Sequence, residues 1–154
     1  MEKSYYKSPI GILEIVCEDN KLITLKISKN KQAENNDSDL IKKIKSQLDE
    51  YFFGKRKNFD IRINPQGTVF QQKVWYELQK IPYGQTMSYS DIAIKTGNIN
   101  AQRAVGSACN KNPIMIIIPC HRVISKNGTI GGFAYGDFVK HKLLKIENIV
   151  TDKT

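Results

Sequence analysis

Residues 64–68, "NPQGT", read as a linker that divides the chain into two stretches. Proline fixes φ and has no amide hydrogen to donate, and a glycine close behind it favours a turn, so neither helix nor strand runs through this stretch. Ahead of it, residues 3–7, 12–17, 22–27 and 58–63 read as strands, the last two by alternation of apolar and polar side chains. Turns at "KSPIG" and "EDNK" join the first three, and the polar stretch "SKNKQAENNDSD" is a loop. Leu40, Ile41, Ile44, Leu48, Tyr51 and Phe52 fall on one face at helical spacing, and Gly54 takes the left-handed position that often ends a helix. Residues 1–63 are therefore expected to form a scaffold domain, a small β-sheet packed on one helix.

Residues 69–154 read differently. Thr68 followed by Gln71 is a capping box that opens a helix carrying Phe70, Val74 and Leu78 along one side. Pro82 and Gly84 end that segment. Two short helices fit at about 89–96 and 101–110, joined by a turn at Gly97, the pattern of a helix-turn-helix. Asn127-Gly128 between short β-prone pieces predicts a tight hairpin of the primed type, placed like a wing. Asp137 is expected to N-cap a last helix running through Leu143, Leu144 and Ile146. The expected fold class is α+β, with a mostly helical, winged helix-turn-helix-like C-terminal domain after the linker.

The chain carries 24 basic and 15 acidic side chains, for a net charge of +9. Residues 64–154 hold 11 basic against 5 acidic groups, so the second half is the more basic for its length. That imbalance suggests a polyanionic partner, the alternative being solubility alone. No apolar run is long enough to span a bilayer, and the first residues show no secretory pattern. Three cysteines, an odd count, then point to reduced thiols in the cytoplasm. With two histidines and no C-x-x-C spacing, no metal is expected.

One string combines structure and chemistry. In "IIIPCHRV", three isoleucines run into Pro119, Cys120, His121 and Arg122. Pro119 holds Ile118 extended, which predicts that Cys120 ends a buried strand on a stiff backbone. A cation or base nearby lowers a thiol pKa below its free value of about 8.5. Neighbours in an extended chain point to opposite faces, so a water or a bend after Cys120 must link sulfur to imidazole. A free cysteine is otherwise a small buried hydrophobe, the reading given to Cys17 and Cys109. Burying a histidine and an arginine at a core edge is costly unless they are paired, which sets Cys120 apart.

The second short helix holds Ala101, Ala104, Gly106, Ser107 and Ala108, all small. A helix that reads bases in the major groove carries longer polar side chains. Small residues allow close approach, either to another helix or, beside Arg103, to a nucleic-acid backbone.

These segments, "FQQKVWYELQKIPYGQTMSYSDIA", "NAQRAVGSACNKNPIMIIIPCHRVI" and "GGFAYG", resemble in order and spacing the O6-alkylguanine-DNA alkyltransferases. The resemblance covers residues 64–148; the first half fits in size and layout. It implies repair of double-stranded DNA by one irreversible transfer of an alkyl group from O6 of guanine to Cys120, by a monomer without cofactor. It further implies that His121 acts as base through a water, that Glu147 orients His121, and that Asn112 braces the active-site turn. Tyr89 is implied to assist rotation of the nucleotide and to protonate the leaving guanine. Arg103 would fill the gap left in the duplex. Ala101, Gln102, Ala104, Gly106, Ser107 and Arg122 are expected at the DNA, the helix lying in the minor groove. Met115, Phe133 and Tyr135 are expected in the substrate pocket, Phe133 standing where some members carry a tyrosine. Zinc, bound in the first domain of some relatives, is not expected where that half holds one cysteine and no histidine. Two rival readings are a non-enzymatic DNA-binding module with Cys120 merely packed, and a cysteine hydrolase or acyl transferase built on Cys120 and His121.

Overall fold

The computed structural model describes residues 1–29 and 37–150. Most of the expected loop at 28–39, and the last four residues, lie outside the described residues. The chain divides into two compact units, Met1–Gln66 and Gly67–Thr154.

The first unit is an antiparallel sheet in the order β1 (Glu2–Ser8), β2 (Gly11–Glu18), β3 (Lys21–Ile27). Asp19 and Asn20 both have positive φ, 53° and 60°, so the "EDNK" turn is the primed type that matches strand twist. Leu13, Ile15, Cys17, Leu22 and Leu25 are fully buried. Helix α1 (Asp39–Phe52) starts at Ser38, whose side chain accepts from the Ile41 amide, and buries Ile41, Ile44, Gln47, Leu48 and Tyr51. Gly54, at φ +75°, follows its end.

The strand expected at 58–63 does not form. Only Ile63 makes a bridge, parallel to Leu22, through Leu22 N to Arg62 O (2.9 Å) and Asn64 N to Leu22 O (2.8 Å). The amide of Asp60 instead donates to Oε1 of the buried Gln47 on α1, at 2.9 Å. A side chain on the helix takes the donor that a strand neighbour would need, so the alternating sequence is held across the helix instead.

The second unit contains α2 (Val69–Leu78), β4 (Met87–Ser88), α3 (Tyr89–Lys95), α4 (Gln102–Asn110), a 3-10 turn at Cys120–Arg122, β5 (Val123–Ile124) and α5 (Asp137–Ile146). Both halves of the Thr68–Gln71 capping box are made. A second capping box, Ser88 with Asp91, starts α3. Trp75 on α2 donates from Nε1 to the carbonyl of Ala108 on α4 at 2.9 Å, which ties the two helices through a buried bond. Gly97, at φ +98°, makes the turn between α3 and α4.

Three expectations are corrected in this unit. The isoleucine run is not a strand: Ile116 has φ +72°, and the segment coils back so that Ile118 N reaches Ile114 O at 3.0 Å. A β-branched residue in that conformation is strained by about 1–3 kcal/mol and persists only where packing over-determines it. Ile114, Met115, Ile116 and Ile118 are all buried, and their burial supplies that packing. The wing is reduced to a three-residue loop. Gly128 alone has positive φ (+88°), Gly128 N bonds Ser125 O (2.9 Å) and Ser125 N bonds Thr129 O (3.0 Å). Because the Asn127 side chain accepts from Thr129 N, at 3.1 Å, Asn127 keeps negative φ and the primed turn is not made. β5 pairs in parallel with β4 (Met87 with Val123, Ser88 with Ile124). Finally, the N-cap of α5 is Gly136, at φ +93°, with no side-chain bond; Asp137 sits inside the first turn, where its charge favours the helix dipole.

Candidate active site

The coil at 114–118 and the 3-10 turn after Pro119 bring Cys120 under Asn112. Ile114 N donates to Asn112 Oδ1 (2.9 Å), which fixes the amide orientation. Asn112 Nδ2 therefore faces the other way and donates to Ile118 O (2.7 Å) and to Cys120 Sγ (3.2 Å). Burial pushes the Cys120 thiol up; the Asn112 donor, the Lys140 charge and the amides of Cys120 and His121 pull it back. The cation acting on the thiol is Lys140; Arg122, its neighbour in sequence, is engaged with Glu147 and Ile81.

The bend after Cys120 turns His121 into the protein, where it is fully buried. His121 Nε2 lies 2.6 Å from Glu147 Oε2, at the C-terminal end of α5. Burial, then the Glu147 contact, then Arg122 and Lys140 act on this ring, and the net shift is downward, so the imidazole is neutral. Glu147 is shifted down as well, which for a carboxyl favours the charged form. Burial raises it, but the bond to His121 and then Arg122 outweigh burial and hold it at about 2. An ionised carboxylate accepts only, so Nε2 carries the imidazole proton. Nδ1 is then a lone-pair acceptor, and it is buried with no partner among the described residues.

Arg122 was expected at the DNA. It is 7% exposed, and its guanidinium is committed within the protein. Nε donates to Glu147 Oε1 (2.8 Å), Nη2 to Glu147 Oε2 (3.2 Å) and Nη1 to the carbonyl of Ile81 (2.6 Å). The Tyr83 ring lies 5.8 Å from it. A buried guanidinium needs such partners to offset its desolvation, and its burial keeps it off the surface that a phosphate would meet.

Tyr89 begins α3 and donates to Gly132 O at 3.3 Å. Burial and the two nearby thiols push its hydroxyl up to about 12, so it stays a phenol able to donate. Gly131, at φ +74°, lies so close to the Tyr89 ring and Ser125 that a side chain there would have to displace them. On α4, Gln102, Arg103, Ala104, Ser107 and Asn110 are exposed, Ala101 and Gly106 half-buried, and Val105, Ala108 and Cys109 buried. A cavity of about 370 Å³ opens on that face between Tyr89, Gln102, Arg103, Gly106, Asn110 and Gly132. Phe133 and Tyr135 contact edge to face at 5.8 Å, while Met115 is fully buried in the core. A larger cavity, about 580 Å³, lies around Phe138, His141 and Lys142 on α5. None of the expected site residues lines it.

Lys140 is a residue the sequence reading missed. It is fully buried, and Nζ donates to Val123 O (2.6 Å) and Gly132 O (3.0 Å). Burial lowers it to about 8, with the thiols of Cys120 and Cys109 and then Asp137 opposing. The signal was a lysine in the stripe Val139, Lys140, Leu143, Leu144, where helical spacing asks for an apolar side chain. Cys17 has no such company, and burial raises it to about 11. Among the described residues, no group of three His, Cys, Asp or Glu could hold a metal ion, and no helix is long and apolar enough to cross a membrane.

Comparisons with known proteins bear on both units. A family model described as the DNA binding domain of 6-O-methylguanine DNA methyltransferase matches residues 69–149, and one described as the ribonuclease-like domain of the same family matches residues 1–65. A Methanosarcina acetivorans protein named methylated-DNA–protein-cysteine methyltransferase is 42% identical over 153 residues, 96% of this chain and 98% of its own. The constitutive methyltransferase of that name from Bacillus subtilis is 40% identical, covering 95% and 96%. The crystal structure of Mycobacterium tuberculosis OGT in complex with DNA superposes with a TM-score of 0.87 at 38% identity, over 96% of this chain and 92% of that one.

Proposed function

The chain belongs to the 6-O-methylguanine DNA methyltransferase family, a methylated-DNA–protein-cysteine methyltransferase that repairs DNA by direct alkyl transfer, and from that premise we propose which residues perform the transfer. Cys120 is the acceptor. The observation that carries this choice is the Asn112 Nδ2 to Cys120 Sγ bond of 3.2 Å, followed in sequence by a neutral histidine whose Nδ1 lone pair is buried and free. Cys17 and Cys109 have neither feature next to them.

In this account the thiol proton passes through a water to His121 Nδ1. The thiolate then attacks the alkyl carbon on O6 of guanine, the sulfur–carbon bond forms, and the carbon–oxygen bond breaks toward the base. Asn112 donates to the developing thiolate, and Lys140 adds a positive field. Tyr89, as a phenol, protonates the leaving guanine. Because no step regenerates the thiol, each molecule reacts once.

A base inside a duplex cannot present that carbon, so the nucleotide must leave the stack, at a cost of a few kcal/mol that is lowest for a damaged pair. Arg103, exposed at the cavity beside Tyr89, is positioned to enter the gap. The small exposed residues of α4 allow that helix close to the DNA. Cys120 is only 4% exposed, so the structure must open around it to admit the base; beside the cavity, the Gly132 carbonyl accepts from both Tyr89 and Lys140.

Incubation with a duplex carrying O6-methylguanine, followed by peptide mass spectrometry, tests the assignment. One methyl per molecule on the Cys120 peptide is expected. A methyl on Cys17 or Cys109, or turnover beyond one, refutes it. Arg103→Ala should slow repair of duplex DNA about tenfold or more while leaving reaction with free O6-methylguanine near wild type; equal losses on both would remove the role in extrusion.

A further inference from the structure

Arg122 and Glu147 form a charge pair that is buried and close to the base, yet neither touches Cys120 in the bonds described above. An imidazole 2.6 Å from a buried carboxylate is ordinarily drawn toward the protonated state, because an ion pair is favoured where the dielectric is low. A protonated imidazole has hydrogens on both nitrogens and cannot accept a proton from a thiol. A carboxylate that orients the ring therefore threatens to disable it.

We infer that Arg122 is a positioning residue for the transfer reaction: by binding both carboxylate oxygens of Glu147 it balances that charge, so Glu147 fixes the imidazole with its hydrogen on Nε2 and leaves Nδ1 unprotonated. This rests on the assignment of Cys120 and His121 above. Three observations carry it. Arg122 reaches Oε1 at 2.8 Å and Oε2 at 3.2 Å, so no carboxylate oxygen is left to His121 alone. Its third bond, to Ile81 O at 2.6 Å, anchors the guanidinium to the segment just after α2, independently of Glu147. Nδ1 is the one buried side-chain nitrogen or oxygen without a partner among the described residues, as a base held ready would be.

The groups around the imidazole divide by charge. Burial is the largest influence and favours the neutral ring; Glu147, just after α5, favours the protonated one, and Arg122, on the 3-10 turn, and Lys140, on α5, oppose it. The Tyr83 ring, before β4, lies 5.8 Å from the Arg122 guanidinium, and burial and then Glu147 hold its hydroxyl protonated. A planar fork meets two oxygens and a carbonyl at once, whereas a lysine is a single point of charge. The side chain expected at the DNA thus acts inward.

The test is the pH dependence of single-turnover methyl uptake from free O6-methylguanine, for the wild type and for Arg122→Met and Arg122→Lys. Removing the compensating charge raises the pKa of the base, so the acid limb should move up by about one unit in Arg122→Met, a loss of about tenfold on that limb with the alkaline plateau within about threefold of wild type. Arg122→Lys should fall between. In Arg122→Met/Glu147→Gln, which lacks the carboxylate, the limb should return toward wild type. A lowered plateau with the limb unmoved means an ion pair that only holds the fold, and overturns the inference. Should Arg122→Met not fold, nitrogen-15 NMR of the wild type decides: neutral His121 protonated on Nε2 at pH 7 supports it, and an imidazolium or an Nδ1-protonated ring overturns it. If His121→Ala takes up methyl as fast as wild type, the Cys120–His121 reading itself fails; if that variant is slow and Arg122→Met leaves the limb in place, only the role of Arg122 fails.

Discussion

The two units bury polar groups in opposite ways. Among the described residues, the first unit buries Ser4 and Gln47, both neutral, in a core of leucine, isoleucine, valine and Tyr51. The second buries Asn112, His121, Arg122, Lys140 and Glu147, four of them ionisable. A buried ion pair is rarely better for stability than a packed hydrophobic substitute. The first unit shows that this chain builds a core without buried charge, so the charges of the second serve something other than folding. The thiols repeat the contrast. Cys17 sits in the sheet as a small apolar side chain, whereas Cys120 has a donor on its sulfur and a cation and a neutral imidazole near it.

The largest effect expected from this contrast is on the thiols. Cys120→Ala should abolish methyl uptake while Cys17→Ala keeps it, each read as methyl per molecule; uptake surviving in Cys120→Ala erases the distinction. Next, Glu147→Gln removes the carboxylate from beneath Arg122 and should cost about 3–5 kcal/mol, followed by the fluorescence of Trp75, the only tryptophan, which lies in the second unit. A loss under about 1 kcal/mol would mean that the cluster is solvated rather than buried. Leu48→Ala opens a cavity in the first unit at about 2–5 kcal/mol. Denaturant titration should show it, and the rate with free O6-methylguanine should stay near wild type; a matching loss of rate would make the first unit part of the site.

Acid sharpens the comparison further. Glu147 is held below its ordinary 4.5, at about 2, so its ionised form stabilises the fold above pH 4.5 and that contribution is lost as pH falls toward 2. Burial holds His121 below its ordinary 6.5, so the neutral ring stabilises above 6.5 and weakens the second unit as pH drops from there. Trp75 fluorescence should therefore report loosening at a higher pH than the strand signal in far-ultraviolet circular dichroism; coincident transitions would contradict it. Smallest is Gln47→Ala, which strands the Asp60 amide and should cost about 1 kcal/mol by thermal denaturation.

Local chemistry was legible where its cause is local. The Thr68 capping box, the α1 face, the Gly97 turn and the three-stranded meander follow from side chains a few residues apart. The reading failed where distant groups compete for the same atoms. Alternation at 58–63 promised a strand, but Gln47 took the Asp60 amide. The isoleucine run promised another, but Asn112 ties Ile114 and Ile118 into a coil, which a left-handed Ile116 makes possible. A lysine in the apolar stripe of α5 was readable as odd, though not as a bond to Val123 and Gly132.

The sequence by itself marked Cys120 and His121, since a proline, a thiol and an imidazole in succession already limit what the segment can do. It could not say where the charge beside them points. Arg122 lies 25 residues from Glu147 and 41 from Ile81, and only the packing of α5 and of α2 against the 3-10 turn brings those acceptors within reach. The direction of a long cationic side chain follows from which partners are buried with it, and burial is a property of the folded chain.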